Sequence, residues 1–90
     1  MERSSTNKIR VDIHGNQYTL RGSESVDHMK QVAKTVDDLM RALSMSHTYL
    51  DAKRVAVLTA VNLANDLLLL QKQYDELVAL LDERTKSPPR

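Results

Sequence analysis

Cysteine is absent from these 90 residues, which rules out a disulfide staple and any thiolate metal site. Tryptophan and phenylalanine are absent too, and three tyrosines make up the aromatic complement. A β-sandwich core is poorly supplied by such a composition, whereas Leu, Val, Ala and Met suit helix packing. Glycine and proline number two each. None falls between Gly22 and Pro88, so no strong breaker interrupts that stretch. An excess of one charge is also missing: 13 basic residues face 12 acidic ones for a net charge of +1. The chain therefore lacks the electrostatic footprint of a general nucleic-acid binder. Met1 to Lys8 contains no apolar run of the kind a secretory signal needs, so a cytoplasmic location is expected. No unbroken apolar run approaches the roughly 20 residues of a membrane span, so the expectation is a soluble protein.

What is present is periodicity. Met1 to Asn7 is polar and reads as a disordered lead-in. Lys8 to Ile13 alternates, with Ile9, Val11 and Ile13 on one side, as a half-buried strand does. His14-Gly15-Asn16 is a turn signal, because Gly and Asn accept positive φ. Gln17 to Arg21 alternates again with Tyr18 and Leu20 on one face, and the pair predicts a β-hairpin. After Gly22, Ser23 or Ser25 offers a helix N-cap, and Glu24 and Asp27 suit a helix start. Val26, Met29, Val32, Ala33, Val36, Leu39, Met40 and Leu43 then follow helical spacing, predicting an amphipathic helix over 26–43. Lys30, Lys34, Asp37, Asp38 and Arg41 fall on its other face. Ser44 to Thr48 reads as a polar break, and Thr48 with Asp51 resembles a capping box. A second helix should start near Tyr49 and run to about Arg84, roughly 54 Å at 1.5 Å per residue.

That helix is too long for a domain of this size, whose radius of gyration is about 13 Å. Its seam is regular. Ala60, Leu67, Tyr74 and Leu81 occupy heptad position a; Ala56, Leu63, Leu70 and Leu77 occupy d. A second stripe of Val57, Val61, Ala64 and Leu68 accompanies the first half, which implies burial on several sides. From Gln71 on, the surface turns polar around a narrower stripe. Asn62 sits in the most apolar part, where a polar residue can fix register. The expected architecture is α+β: an N-terminal ββα head over 8–54, then a long C-terminal α-helix over 55–84 forming an oligomeric coiled coil, and a disordered tail over 85–90. Ala56, Ala60, Asn62, Leu63, Leu67, Leu70, Tyr74, Leu77 and Leu81 are the candidate oligomerisation residues. The pattern leaves a dimer or a dimer of dimers open.

Catalysis has no foothold. No phosphate loop, nucleophile elbow or zinc motif occurs. His14, His28 and His47 lack i, i+4 ligand spacing and read as surface histidines. Asp37-Asp38 and Asp75-Glu76 are sequence neighbours on a helix and do not converge. A chain this small also leaves little room for a pocket of several hundred Å³. No enzyme activity, cofactor or metal is expected.

Three stretches carry a family resemblance. Val11-Asp12-Ile13-His14-Gly15-Asn16-Gln17-Tyr18-Thr19-Leu20 is similar to the opening hairpin of the bacterial Z-ring-associated protein A family. Val32-Ala33-Lys34-Thr35-Val36-Asp37 falls where that family has an Ala followed by a Val/Leu-Asp step. Arg54-Val55-Ala56-Val57-Leu58-Thr59-Ala60-Val61-Asn62-Leu63-Ala64-Asn65-Asp66 resembles its Val-Leu-x-Ala-Leu-Asn-Ile-Ala-Asp-Glu signature, with Val61 in place of Leu and Asn65-Asp66 where Asp-Glu is usual. The resemblance runs from Ile9 to about Leu81. It implies dimers that pair through stalks into tetramers, with heads that contact FtsZ filaments and bundle them at the division site. Between Met1 and Arg54 nine basic residues face seven acidic ones. With FtsZ acidic as a family property, Arg10, Arg21, Lys30, Lys34, Arg41, Lys53 and Arg54 become the candidate contacts. Without the resemblance, a coiled-coil adaptor with another partner fits the pattern equally, and a nucleic-acid-binding dimer fits less well, since no recognition helix rich in Arg, Asn or Gln is present.

Overall fold

A computed structural model describes residues 6–86, with side chains through Glu83. The lead-in and tail expected to be disordered lie outside the described residues for 1–5 and 87–90. The elements run in the order β1 (Asn7–Ile13), β2 (Asn16–Gly22), α1 (Val26–Ser46) and α2 (Ala52–Lys86). Contacts divide the chain into two compact units, one through Thr59 and one from Ala60.

In the first unit, β1 and β2 pair antiparallel, with Ile9 opposite Leu20, Val11 opposite Tyr18 and Ile13 opposite Asn16. Directly opposed residues share a face, so the alternating apolar residues form one inner face as expected. The two-residue turn places the positive φ on His14 (52°) and Gly15 (84°), the pattern of a type I′ turn. Asn16, expected to help with that conformation, is instead the first residue of β2. His14 takes the left-handed conformation that the first central position of such a turn requires, and its backbone N–H is bonded to α1, as described below.

α1 packs on β1. It starts where Ser25 caps it, the Ser25 Oγ accepting the His28 N–H at 3.1 Å. Met29, Ala33 and Met40 are its buried residues. Val36, Leu39 and Leu43 are half-buried, while Val26 and Val32 sit at the exposed margin of the stripe. The helix continues three residues past the expected end at Leu43 and takes in Ser44 and Met45, which read as a polar break. Ser46 Oγ bonds the Ala42 carbonyl and the His47 N–H bonds the Leu43 carbonyl at 2.9 Å, so the extra turn is satisfied locally.

α2 starts at Ala52, not near Tyr49. Tyr49 lies in a turn closed by the Leu50 N–H on the His47 carbonyl. Asp51, read as the third residue of a capping box led by Thr48, is itself the cap: its Oδ1 accepts the Arg54 N–H at 2.9 Å. Within the first unit, Val55 is fully buried, Thr59 is buried with its hydroxyl on the Val55 carbonyl, and Leu58 is half-buried.

The helix is 35 residues long, about 52 Å at 1.5 Å per residue. Replacing the cap by Asp51→Ala should lower stability by about 1 kcal/mol. Thermal melts at matched protein concentration read this directly, and an unchanged melting temperature would show that the cap is dispensable.

Candidate interaction surfaces

Residues 60–86 lie in a single helix, and through Glu83 most of its apolar side chains are open to solvent in one copy of the chain. Leu67 and Leu70 are each 62% exposed, Tyr74 is 63% exposed, and Leu77 and Leu81 are each 55% exposed. Leu63 is half-buried; Ala60 and Asn62 are exposed. Leu67, Leu70, Gln71 and Tyr74 edge a shallow depression of about 240 Å³. The second stripe is equally open, at Val61, Ala64 and Leu68. Steps of four and three keep the first set on one side of the helix, the arrangement that packs knobs into holes of a facing helix. Of the candidate oligomerisation residues, Ala56 alone falls in the first unit, where it too is exposed.

Covering Leu67, Leu70, Tyr74, Leu77 and Leu81 is worth about 1.5–3 kcal/mol each as an upper bound. By length and composition α2 is also apolar enough to cross a membrane. Its unbroken apolar runs are short, because single polar residues such as Asn62, Asn65 and Asp66 interrupt them without lowering the average much.

In the first unit, the charged candidates divide by their neighbours. Lys34 Nζ pairs with Asp38 Oδ2 at 2.9 Å, and Arg41 Nε pairs with Asp37 Oδ2 at 2.9 Å, both one helical turn apart. Each cation is matched on its own helix, and its hydrogen-bonded carboxylate pushes its pKa up. Arg10 and Arg21 lie on the outward face of the hairpin, where Arg10 Nη2 donates to Gln17 Oε1 at 3.2 Å. Lys8, absent from the sequence-based candidates, is directly opposite Arg21 on that face. The signal for it was there: Lys8 and Arg10 are two residues apart in an alternating strand and must share a side. Lys30, Lys53 and Arg54 are exposed. Lys53 also lines an open groove of about 430 Å³ with Ile13, Tyr18, Leu20, Met40 and Ala56. This unit therefore has more concave space than its size suggested. The lining is largely apolar, with no convergent set of polar groups of the kind a catalytic pocket needs.

Asp37 was assigned to the outer face of α1, and the structure corrects this. Its side chain is 18% exposed. Oδ1 accepts the His14 backbone N–H at 2.7 Å while Oδ2 accepts from Arg41. His14 in turn places Nε2 at 2.9 Å from Ser44 Oγ. The hairpin turn is thus tied to α1 at two points about two turns apart, and His14 is half-buried, not a surface histidine. The His14 N–H first, and Arg41 second, hold the Asp37 carboxyl below its ordinary value of 3.8. No group of three or more His, Asp or Glu suited to a metal occurs among the described residues.

Comparison with known proteins agrees with this arrangement. The family model described as cell division protein ZapA matches residues 9–87. A cell division protein ZapA of Geobacillus sp. (strain WCH70) is 42% identical over 81 residues, covering 90% of this chain and 93% of the relative. One from Bacillus pumilus (strain SAFR-032) is 46% identical over 77 residues, covering 86% and 91%. Among solved structures, a ZapA mutant dimer from Geobacillus stearothermophilus superposes with a TM-score of 0.76 at 38% identity, covering 91% of this chain and 95% of that one.

A carboxylate with a depressed pKa stabilises the fold at pH values above its unfolded pKa, and that contribution is lost as pH falls through the lower folded value. Asp37→Asn should therefore lower stability at neutral pH and flatten the acid limb of the stability profile below about pH 4. Denaturant titrations across that range check it; parallel acid limbs for both proteins would refute the clamp.

Proposed function

The chain belongs to the cell division protein ZapA family, and from that premise we propose that it is a scaffold that binds and bundles FtsZ filaments, promoting assembly of the Z-ring. It is a cell division protein and not an enzyme. On this reading it acts in the cytoplasm at the division site. The observation that supports it most is the open heptad seam of α2, with five large apolar side chains more than half exposed between Leu67 and Leu81. One copy leaves that surface in water, and a second helix of the same sequence offers matching knobs and holes. The solved dimer of a relative supports self-association. Pairing of dimers into a tetramer through the stripe beyond Gln71 completes the proposal.

A multivalent particle of this kind holds two filaments at once. Each additional contact is then intramolecular, and avidity rises without any single contact being strong. Contacts to the acidic filament are proposed to come from among the basic residues of the first unit, Arg10, Arg21, Lys30, Lys34, Arg41, Lys53 and Arg54. Asn62 is proposed to set the register between helices at some cost in stability. The apolar length of α2 is assigned to a protein partner and not to lipid. Asn62, Asn65 and Asp66 interrupt its most apolar part, and an Asp at the centre of a membrane helix costs about 2.5–3.5 kcal/mol.

Leu70→Glu or Leu77→Glu should leave helix and hairpin signals in place while lowering the assembly by at least one step in sedimentation. FtsZ bundling by the same variant, followed by light scattering, should fall with it. An unchanged assembly state would remove the seam assignment, and full bundling by a smaller species would remove the cross-linking role.

A further inference from the structure

The proposed filament contacts are not equal, and the hairpin is where the structure separates them. Its outward face is a two-column array in which Lys8 faces Arg21, Arg10 faces Thr19 and Asp12 faces Gln17, all of them exposed. Three cations share this face with one carboxylate, Asp12. Lys8, Arg10 and Arg21 have no carboxylate within ion-pair distance among the described residues; those that do are Lys34 and Arg41. Opposed residues on paired strands lie about 5 Å apart at Cβ, and next-nearest residues on one strand about 7 Å apart. Lys8 and Arg21 therefore hold like charges at close quarters, which opposes strand pairing. Nothing within the hairpin compensates for it.

We propose that the outward hairpin face, Lys8, Arg10 and Arg21, is the docking surface for an acidic protein surface, and that Lys34 and Arg41 are not part of it. The inference rests on the proposed binding of the acidic FtsZ filament and names the part of the chain that makes the contact. An array of carboxylates at strand-like spacing would meet all three cations and relieve the repulsion between Lys8 and Arg21. Lys34 and Arg41 offer a partner much less, because each must first give up a bonded carboxylate on its own helix. The exposed hydroxyl of Thr19, opposite Arg10, adds a neutral donor in the middle of the face. Contacts of this kind are screened, so binding through the face weakens as salt rises.

The test compares two double variants with equal change in net charge in FtsZ co-sedimentation at low and high salt. Arg10→Gln with Arg21→Gln should weaken binding by about fivefold or more and reduce its salt dependence, while Lys34→Gln with Arg41→Gln should change it by less than about twofold. Equal losses in the two would show a general charge effect and overturn the assignment, as would undiminished pelleting of the hairpin variant. A third variant guards against misfolding. Arg21→Glu puts a carboxylate opposite Lys8, so it should hold or raise the melting temperature while binding falls about tenfold or more. Retained binding by that variant overturns the inference. Wild-type protein that fails to pellet with FtsZ at all would instead remove the filament-binding reading, and this inference with it.

Discussion

The interaction on which this protein depends is one that a single chain cannot make: cover for the apolar seam of α2. Hydrophobic residues are 41% of the sequence, yet among the described residues the buried ones are Met29, Ala33, Met40 and Val55. Four such side chains are a thin core against the conformational entropy of ordering some eighty residues, at roughly 1–2 kcal/mol per residue for the backbone alone. The remaining hydrocarbon is arranged, not scattered. From Leu63 to Leu81 a seam of it runs along one side of one helix at steps of four and three, which is a surface shaped to meet another helix. On the proposed reading stability and assembly are coupled, and dissociation of the oligomer would expose the seam that association covers.

The first unit solves a different problem. A two-stranded hairpin is marginal alone and has open edges. Here β1 packs on α1, and the turn is fixed by polar contacts. Asp37 is central because it serves two partners at once, taking the His14 N–H that a left-handed turn would otherwise leave to water and holding Arg41 on its own helix. The bond from His14 to Ser44 adds a second anchor on the same helix. Together they give the hairpin a fixed bearing on α1, so that its two faces have different fates. The inner face packs, and the outer face keeps its cations.

Local periodicity made most of this architecture legible. Alternation in 8–13 and 17–21 marks the strands, the 3.6-residue spacing from Val26 marks α1, and the absence of Gly and Pro lets α2 run. The seam could be read because a heptad repeat is a property of neighbouring residues. What escaped depends on residues far apart in sequence. Asp37 on a helix wheel belongs with Lys34 and Arg41; only the hairpin turn, 23 residues away, takes it out of solvent. His14 looked like one of three scattered histidines, since its helix partner Ser44 is 30 residues distant. Ser44 and Met45 looked like a break because a polar run resembles a loop until its own backbone bonds are seen. Lys8 is the exception, since alternation alone puts it beside Arg10, and a count of head charges is silent on which face each charge occupies.

That sorting changes what net charge means here. A balance of +1 describes the sum, but neighbours decide which charges are offered to a partner. On α1 Lys34 and Arg41 are internally neutralised at i, i+4, where exposed pairs contribute little stability and leave little field. On the hairpin two cations, Lys8 and Arg21, stand opposite one another. Natural edge strands often carry lysine to discourage edge-to-edge pairing, and that role explains charge along an edge. It does not explain two cations set face to face across a ladder, which weakens the pairing it would protect. The proposed division of labour follows: hydrocarbon on α2 supplies lasting association between copies, and screened charge on the hairpin supplies contacts that form quickly and release. A cross-linker of filaments that must be remodelled needs both, because permanent contacts at each end would freeze the bundle and weak ones in the middle would not span it.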